Sequence, residues 1–103
     1  MPKVYYPQKA RLVDATGHAP GTQFKVSYGL EYWDETPHYV YKVQMVYNGV
    51  VSGRRSPSYL KGTDDFQRVN ETMQEIMYEV DNNIIKPDDK MIIVVNQAKQ
   101  KEE

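Results

Sequence analysis

Few side chains in this sequence could do chemistry of their own. His18 and His38 are the only histidines, they lie far apart, and neither belongs to a His-x-x-His spacing. A zinc site would need carboxylates to complete it, and His38 with Asp34 and Glu35 is the nearest approach to such a group. There is no cysteine, which removes disulfides, thiolate ligands and thiol nucleophiles. No Gly-x-Ser-x-Gly elbow and no glycine-rich nucleotide loop occurs, so nothing marks a nucleophile or a phosphate cradle. The sequence reads as a non-catalytic protein with no cofactor and no metal.

Binding chemistry has more candidates. Between Gly53 and Lys61 the chain places Arg54, Arg55 and Lys61 among Ser56, Ser58 and Tyr59, just before a helix start. Helix starts present N–H groups to anions, and paired arginines can hold phosphate. Asp64 and Asp65 at the same helix start would repel an anion, and no Gly-Lys-Ser/Thr closes a P-loop. An ordinary solvated loop is the plainer account. A second group lies on one strand face, where Lys25, Lys42 and Arg55 sit beside Trp33, Val40, Val46 and Val51. Cations among rings on a sheet suit single-stranded nucleic acid, although such residues also simply favour strands. The N-terminal arm or a second subunit could equally cover that face. A third group is Glu71, Glu75 and Glu79, one acidic residue per helical turn with Asp81 nearby. It reads as a solvated ridge that could face a basic partner. The tyrosines Tyr28, Tyr32, Tyr39, Tyr41 and Tyr47 could line a ligand pocket, but core beneath a helix is the simpler reading.

These residues must be held by elements, and the strongest lie between Gln23 and Arg55. Phe24, Val26, Tyr28, Leu30 and Tyr32 alternate with polar or small residues, as do Tyr39, Tyr41, Val43, Met45 and Tyr47, the period of strands with one buried face. A four-residue loop, Asp34-Glu35-Thr36-Pro37, would set Tyr32 opposite Tyr39, Leu30 opposite Tyr41, Tyr28 opposite Val43, Val26 opposite Met45 and Phe24 opposite Tyr47. Asn48-Gly49 predicts a two-residue hairpin, with Tyr47 opposite Val50, Val46 opposite Val51, Met45 opposite Ser52, Val43 opposite Arg54 and Lys42 opposite Arg55. Lys9 to Ala15 reads as a preceding strand. Residues 1–8, broken by Pro2 and Pro7, read as an extended arm.

After the meander the period changes. Phe66, Val69, Met73, Ile76, Met77 and Val80 form the stripe of an amphipathic helix. Asp64 with Gln67 has capping-box form, and Asn82-Asn83 with Pro87 ends the helix. Met91 to Val95 is a continuous apolar run that reads as a last strand, and residues 97–103 form a polar tail. The expected fold is therefore α+β: a meander of about four antiparallel strands, one helix across one face, and a final C-terminal strand.

The 103 residues fit one domain, residues 1–103. Net charge is −1, but it is divided. Residues 1–62 hold eight Lys or Arg against four acids, and residues 63–103 hold five against ten. No apolar run is long enough to span a membrane, and no signal-peptide pattern begins the chain, so a cytoplasmic setting is expected. The leading expectation is a protein-interaction or regulatory module whose partner is another protein. Nucleic-acid binding through the Arg54, Arg55, Lys61 loop and the outer strand face is the alternative, and a small-molecule site or enzyme between helix and sheet is the third reading. The segregated charge also suits a homo-oligomer.

Overall fold

The computed structural model describes residues 4–84. It contains four strands, β1 (Tyr5–Asp14), β2 (Thr22–Trp33), β3 (Thr36–Tyr47) and β4 (Val50–Ser52), and one helix, α1 (Asp65–Asp81). The strands lie in the order β1-β2-β3-β4, all antiparallel. The fold is α+β, as the change of period from two to 3.6 predicts. The expected strand at Met91 to Val95 lies outside the described residues.

The hairpin between β2 and β3 corrects the expected register by two residues. Asp34 and Glu35 alone form the turn, with φ of 50° and 70°, so both central residues adopt the left-handed conformation that a two-residue turn of this twist requires. Thr36 and Pro37 become strand. Leu30 therefore faces Tyr39, Tyr28 faces Tyr41, Val26 faces Val43 and Phe24 faces Met45. The side-chain period is two, so this shift changes every partner and leaves every face as expected. Pro37 is tolerated because the main chain of its partner Tyr32 turns away from it, the Tyr32 N–H donating to Val4 O at 2.9 Å.

The second hairpin turns at Asn48 and Gly49, with φ of 50° and 84°. It pairs Tyr47 with Val50, Val46 with Val51 and Met45 with Ser52, as expected. Pairing then stops. Arg54 and Arg55 do not extend β4 opposite Val43 and Lys42, because Gly53 begins a bend.

Residues 5–8 belong to β1 rather than to an arm. Pairing with β2 is interrupted by a bulge between Pro7 and Lys9. Pro7 lies opposite Gly29, where an added Cβ would meet Pro7 Cα at 2.7 Å and come closer still to the Tyr6 carbonyl. Glycine is what lets the bulged strand approach at this point.

Helix α1 packs across β1 and β2. The core beneath it joins Val13, Phe24, Val26 and Met45 of the sheet to Val69 and Ile76 of the helix, with Met73, Val80, Tyr28, Tyr41, Tyr47 and Tyr59 partly buried around it. Burying each large side chain of this set contributes roughly 1.5–3 kcal/mol. Two members of the expected stripe fall outside it: Phe66, 58% exposed, makes an edge-to-face contact with Tyr59, and Met77 is exposed as well. The expected capping box does not form. Asp64 makes no side-chain cap and pairs with Arg68 instead. Asp65 does the fixing at the helix start. Its buried carboxylate accepts from Thr16 N–H at 3.1 Å, Thr16 hydroxyl at 2.6 Å and Gly17 N–H at 3.1 Å, which ties α1 to the loop after β1. The Thr16 hydroxyl bond comes first among the causes that hold the Asp65 carboxyl below the usual carboxylate range, opposed by burial and aided by the two amides and Arg68.

A candidate binding trough on the far face of the sheet

The β1–β2 and β2–β3 registers sort the charged residues of the sheet by face. Lys9 and Arg11 lie opposite Tyr28 and Val26 and so share the helix face. Lys25 and Lys42 occupy alternate positions and project to the other side, the far face, as Val46 and Val51 do.

On the helix face the cations are consumed internally. Lys9, fully buried, meets Glu79 at 3.1 Å. Arg11 also bonds Glu79 and reaches Glu75 at 3.4 Å. Glu79 is only 6% exposed, which corrects the expected solvated ridge: it is part of the helix–sheet contact, and Glu75 leans toward it. Glu71 stays on the exposed side of α1, with Gln67 donating to it at 3.3 Å. A spacing match could have revealed this lock. Residues i and i+2 of a strand and i and i+4 of a helix both recur at about 6–7 Å, so Lys9 with Arg11 is complementary to Glu75 with Glu79.

The far face carries its own small buried group. Tyr5 hydroxyl and Ser27 hydroxyl are 2.7 Å apart, Lys42 Nζ lies 4.4 Å from the centre of the Tyr5 ring, and Lys42 bonds Glu31. That bond, followed by one from the Trp33 indole at 2.9 Å, holds the Glu31 carboxyl below its ordinary range. Burial pushes the Tyr5 phenol up. Beside this group opens a cavity of about 550 Å³ lined by Val4, Tyr5, Lys25, Lys42, Gln44 and Arg55 among others, and next to it one of about 360 Å³ whose lining includes Ala10, Leu12 and Val46. Lys25 and Val51 line both, so the two are parts of one trough. Its walls come from β1 on one side and from the segment after β4 on the other, which shows how far the twisted sheet curves over this face. The end with Lys42 and Arg55 is the more cationic, while Ala10, Leu12, Val46 and Val51 line the other beside Arg11 and Lys25. The buried Gln44 side-chain oxygen at the cationic end has no hydrogen-bond partner among the described residues.

The trough therefore brings together three of the sequence-selected residues, Lys25, Lys42 and Arg55. Arg54 and Lys61 are exposed and do not line it, so the basic loop does not act as one cluster. The helix start beside that loop carries the Asp64 and Asp65 carboxylates, which disfavour an anion there. Trp33 stands apart at the β2–β3 turn, 52% exposed and stacked on His38 with ring centres 4.2 Å apart. His18 is spent on Phe24 and on Ser58 O at 3.1 Å. Among the described residues no three His, Asp or Glu side chains gather as metal ligands would, and no described helix is long and apolar enough to cross a membrane. Tyr5, Leu12 and Gln44 were not legible as site residues. Only the pairing of residues 5–8 with β2 brings Tyr5 to this face.

Comparison with models of protein families, with curated protein sequences and with solved structures finds no match to this chain.

Proposed function

We propose that this protein is a non-catalytic interaction module and that its trough holds an anionic partner. The convergence of Lys25, Lys42 and Arg55 on one cavity carries this reading. Charge in a concave site with low-dielectric walls attracts a ligand more strongly than the same charge spread over a surface. The acidic ridge supports a partner-binding role less well, since Glu75 and Glu79 already serve Arg11 and Lys9.

Titration with fluorescent polyglutamate, read by anisotropy, tests the proposal. Arg55→Glu weakens binding about tenfold, as reversal of one contact charge does at a complementary interface, whereas Lys61→Glu leaves it nearly unchanged. Equal losses in the two variants would mean diffuse attraction to a basic half of the chain and would dispose of the trough as a site.

A further inference from the structure

The trough opens onto a strand edge, and that edge has main-chain groups to offer. Tyr32 N–H donates toward β1, and Thr22 O accepts from Ala15, just after β1, at 3.1 Å. The even-numbered residues of β2 thus turn their main chain to β1, and its odd-numbered residues bond β3. Their partners on β3 are Gln44, Lys42, Val40 and His38. The residues between them, Tyr39, Tyr41 and Val43, accordingly direct N–H and C=O away from β2. Met45 and Tyr47 satisfy the same direction through Ser52 and Val50. Beyond Ser52, β4 is gone, and no described residue pairs with β3 there. Pro37, without an N–H, closes the far end of the window.

We propose, resting on the trough reading above, that the partner is an extended acidic peptide added as a strand to β3 along Tyr39, Tyr41 and Val43. Its side chains would alternate in chemistry. Those on the far face fall beside Lys42 and are acidic; those on the helix face meet Tyr39 and Tyr41 and are apolar. Tyr39 is 60% exposed and stacks on Tyr28 with ring centres 5.5 Å apart, which gives an apolar side chain a flat surface. Arg55 makes no ion pair among the described residues and lies over the Tyr47 ring at 5.4 Å. Gln44, lining the cavity where β4 leaves β3, carries a primary amide that a peptide group answers with both a donor and an acceptor. A DNA sugar–phosphate backbone offers no donor, so the edge and Gln44 both favour peptide over single-stranded DNA. Main-chain bonds supply affinity in this mode, and the alternating side chains supply specificity.

The test uses the full chain, an alternating Glu-Val heptapeptide, the same peptide N-methylated at every second residue, and a thymidine dodecanucleotide. Amide exchange followed by NMR reads the edge directly. In the protein alone, Tyr39, Tyr41 and Val43 exchange fast while Val40 and Lys42 are protected. Saturating heptapeptide slows the first three by about tenfold or more, the mark of a new ladder bond worth about 1.4 kcal/mol or more. The N-methylated peptide, equal in charge, fails to do so. Protection of the three amides before any peptide is added would overturn the proposal, since the edge would then be filled by this chain or a second copy. Equal binding of both peptides would overturn strand addition and leave the trough standing. Preference for the dodecanucleotide would also overturn it, and would turn the trough reading toward nucleic acid. Failure of every probe to bind would overturn both.

Discussion

On the helix side of the sheet, Lys9 and Arg11 are matched by Glu79 and Glu75, and the Lys9–Glu79 pair is shut away between α1 and β1. On the far side, Lys42 is held by Glu31 while Arg55 stands at the lip of a trough with no ion pair among the described residues. The two sides use the same kinds of residue for different ends. A buried pair fixes where the helix sits, and it is costly to break because either partner alone is an uncompensated charge. A cation at a trough lip does little for folding, which leaves it available to a partner.

Breaking the helix side should have the largest effect. Glu79→Gln removes the Glu79 counter-charge from the Lys9 ammonium, 0% exposed, and is expected to cost about 3–5 kcal/mol in urea unfolding. Combining Lys9→Met with Glu79→Leu should recover much of that loss, because an apolar pair of similar volume needs no counter-charge. Asp65→Ala comes next, at about 2–4 kcal/mol, since it orphans the Thr16 and Gly17 donors at the helix start.

The same residue sets an acid limb. The folded Asp65 carboxyl lies below its ordinary value, so its stabilisation is full above the ordinary carboxylate range and is lost as pH falls through that range toward the depressed value. Melting temperature against pH should fall less steeply below about pH 4 in Asp65→Asn than in the parent; parallel curves would refute this assignment. On the far face, Tyr5→Phe removes the bond to Ser27 and should cost about 1 kcal/mol in the same urea assay. Smallest of all should be Arg55→Glu, which leaves the melting temperature unchanged while lowering polyglutamate affinity. Should it instead destabilise the fold, Arg55 would belong with the helix-side charges and the contrast would fail.

Much of the sheet is legible from residue pattern because strand periodicity and Asn48-Gly49 are local signals. What was not legible depends on contacts distant in sequence or on backbone states that composition underreports. Asp34-Glu35 holds two left-handed residues without a glycine, so the polar run through Pro37 reads as a longer loop. Pro7 reads as a strand breaker, yet β1 is an edge strand among the described residues and Gly29 accommodates the bulge beside it. Glu79 looks solvated because its spacing matches Glu71 and Glu75, and only the helix docking angle separates it from them. The trough was half legible: Lys25, Lys42 and Arg55 share a face by strand period, but the curvature that gathers them is a property of the whole sheet.

The bulge at Gln8 has a further consequence, for changes in chain length. A strand reads its length modulo two. Removing Gln8 alone would excise the extra residue and keep the faces of Tyr5 and Tyr6, whereas inserting one residue there would reverse the parity of everything before it, turning Tyr5 away from Ser27 and Tyr6 away from its edge-to-face contact with Tyr32. Inserting two residues there would preserve both contacts in kind. Single-residue insertions ahead of Lys9 should therefore be tolerated far less well than paired ones or than removal of Gln8, whatever residues they contain.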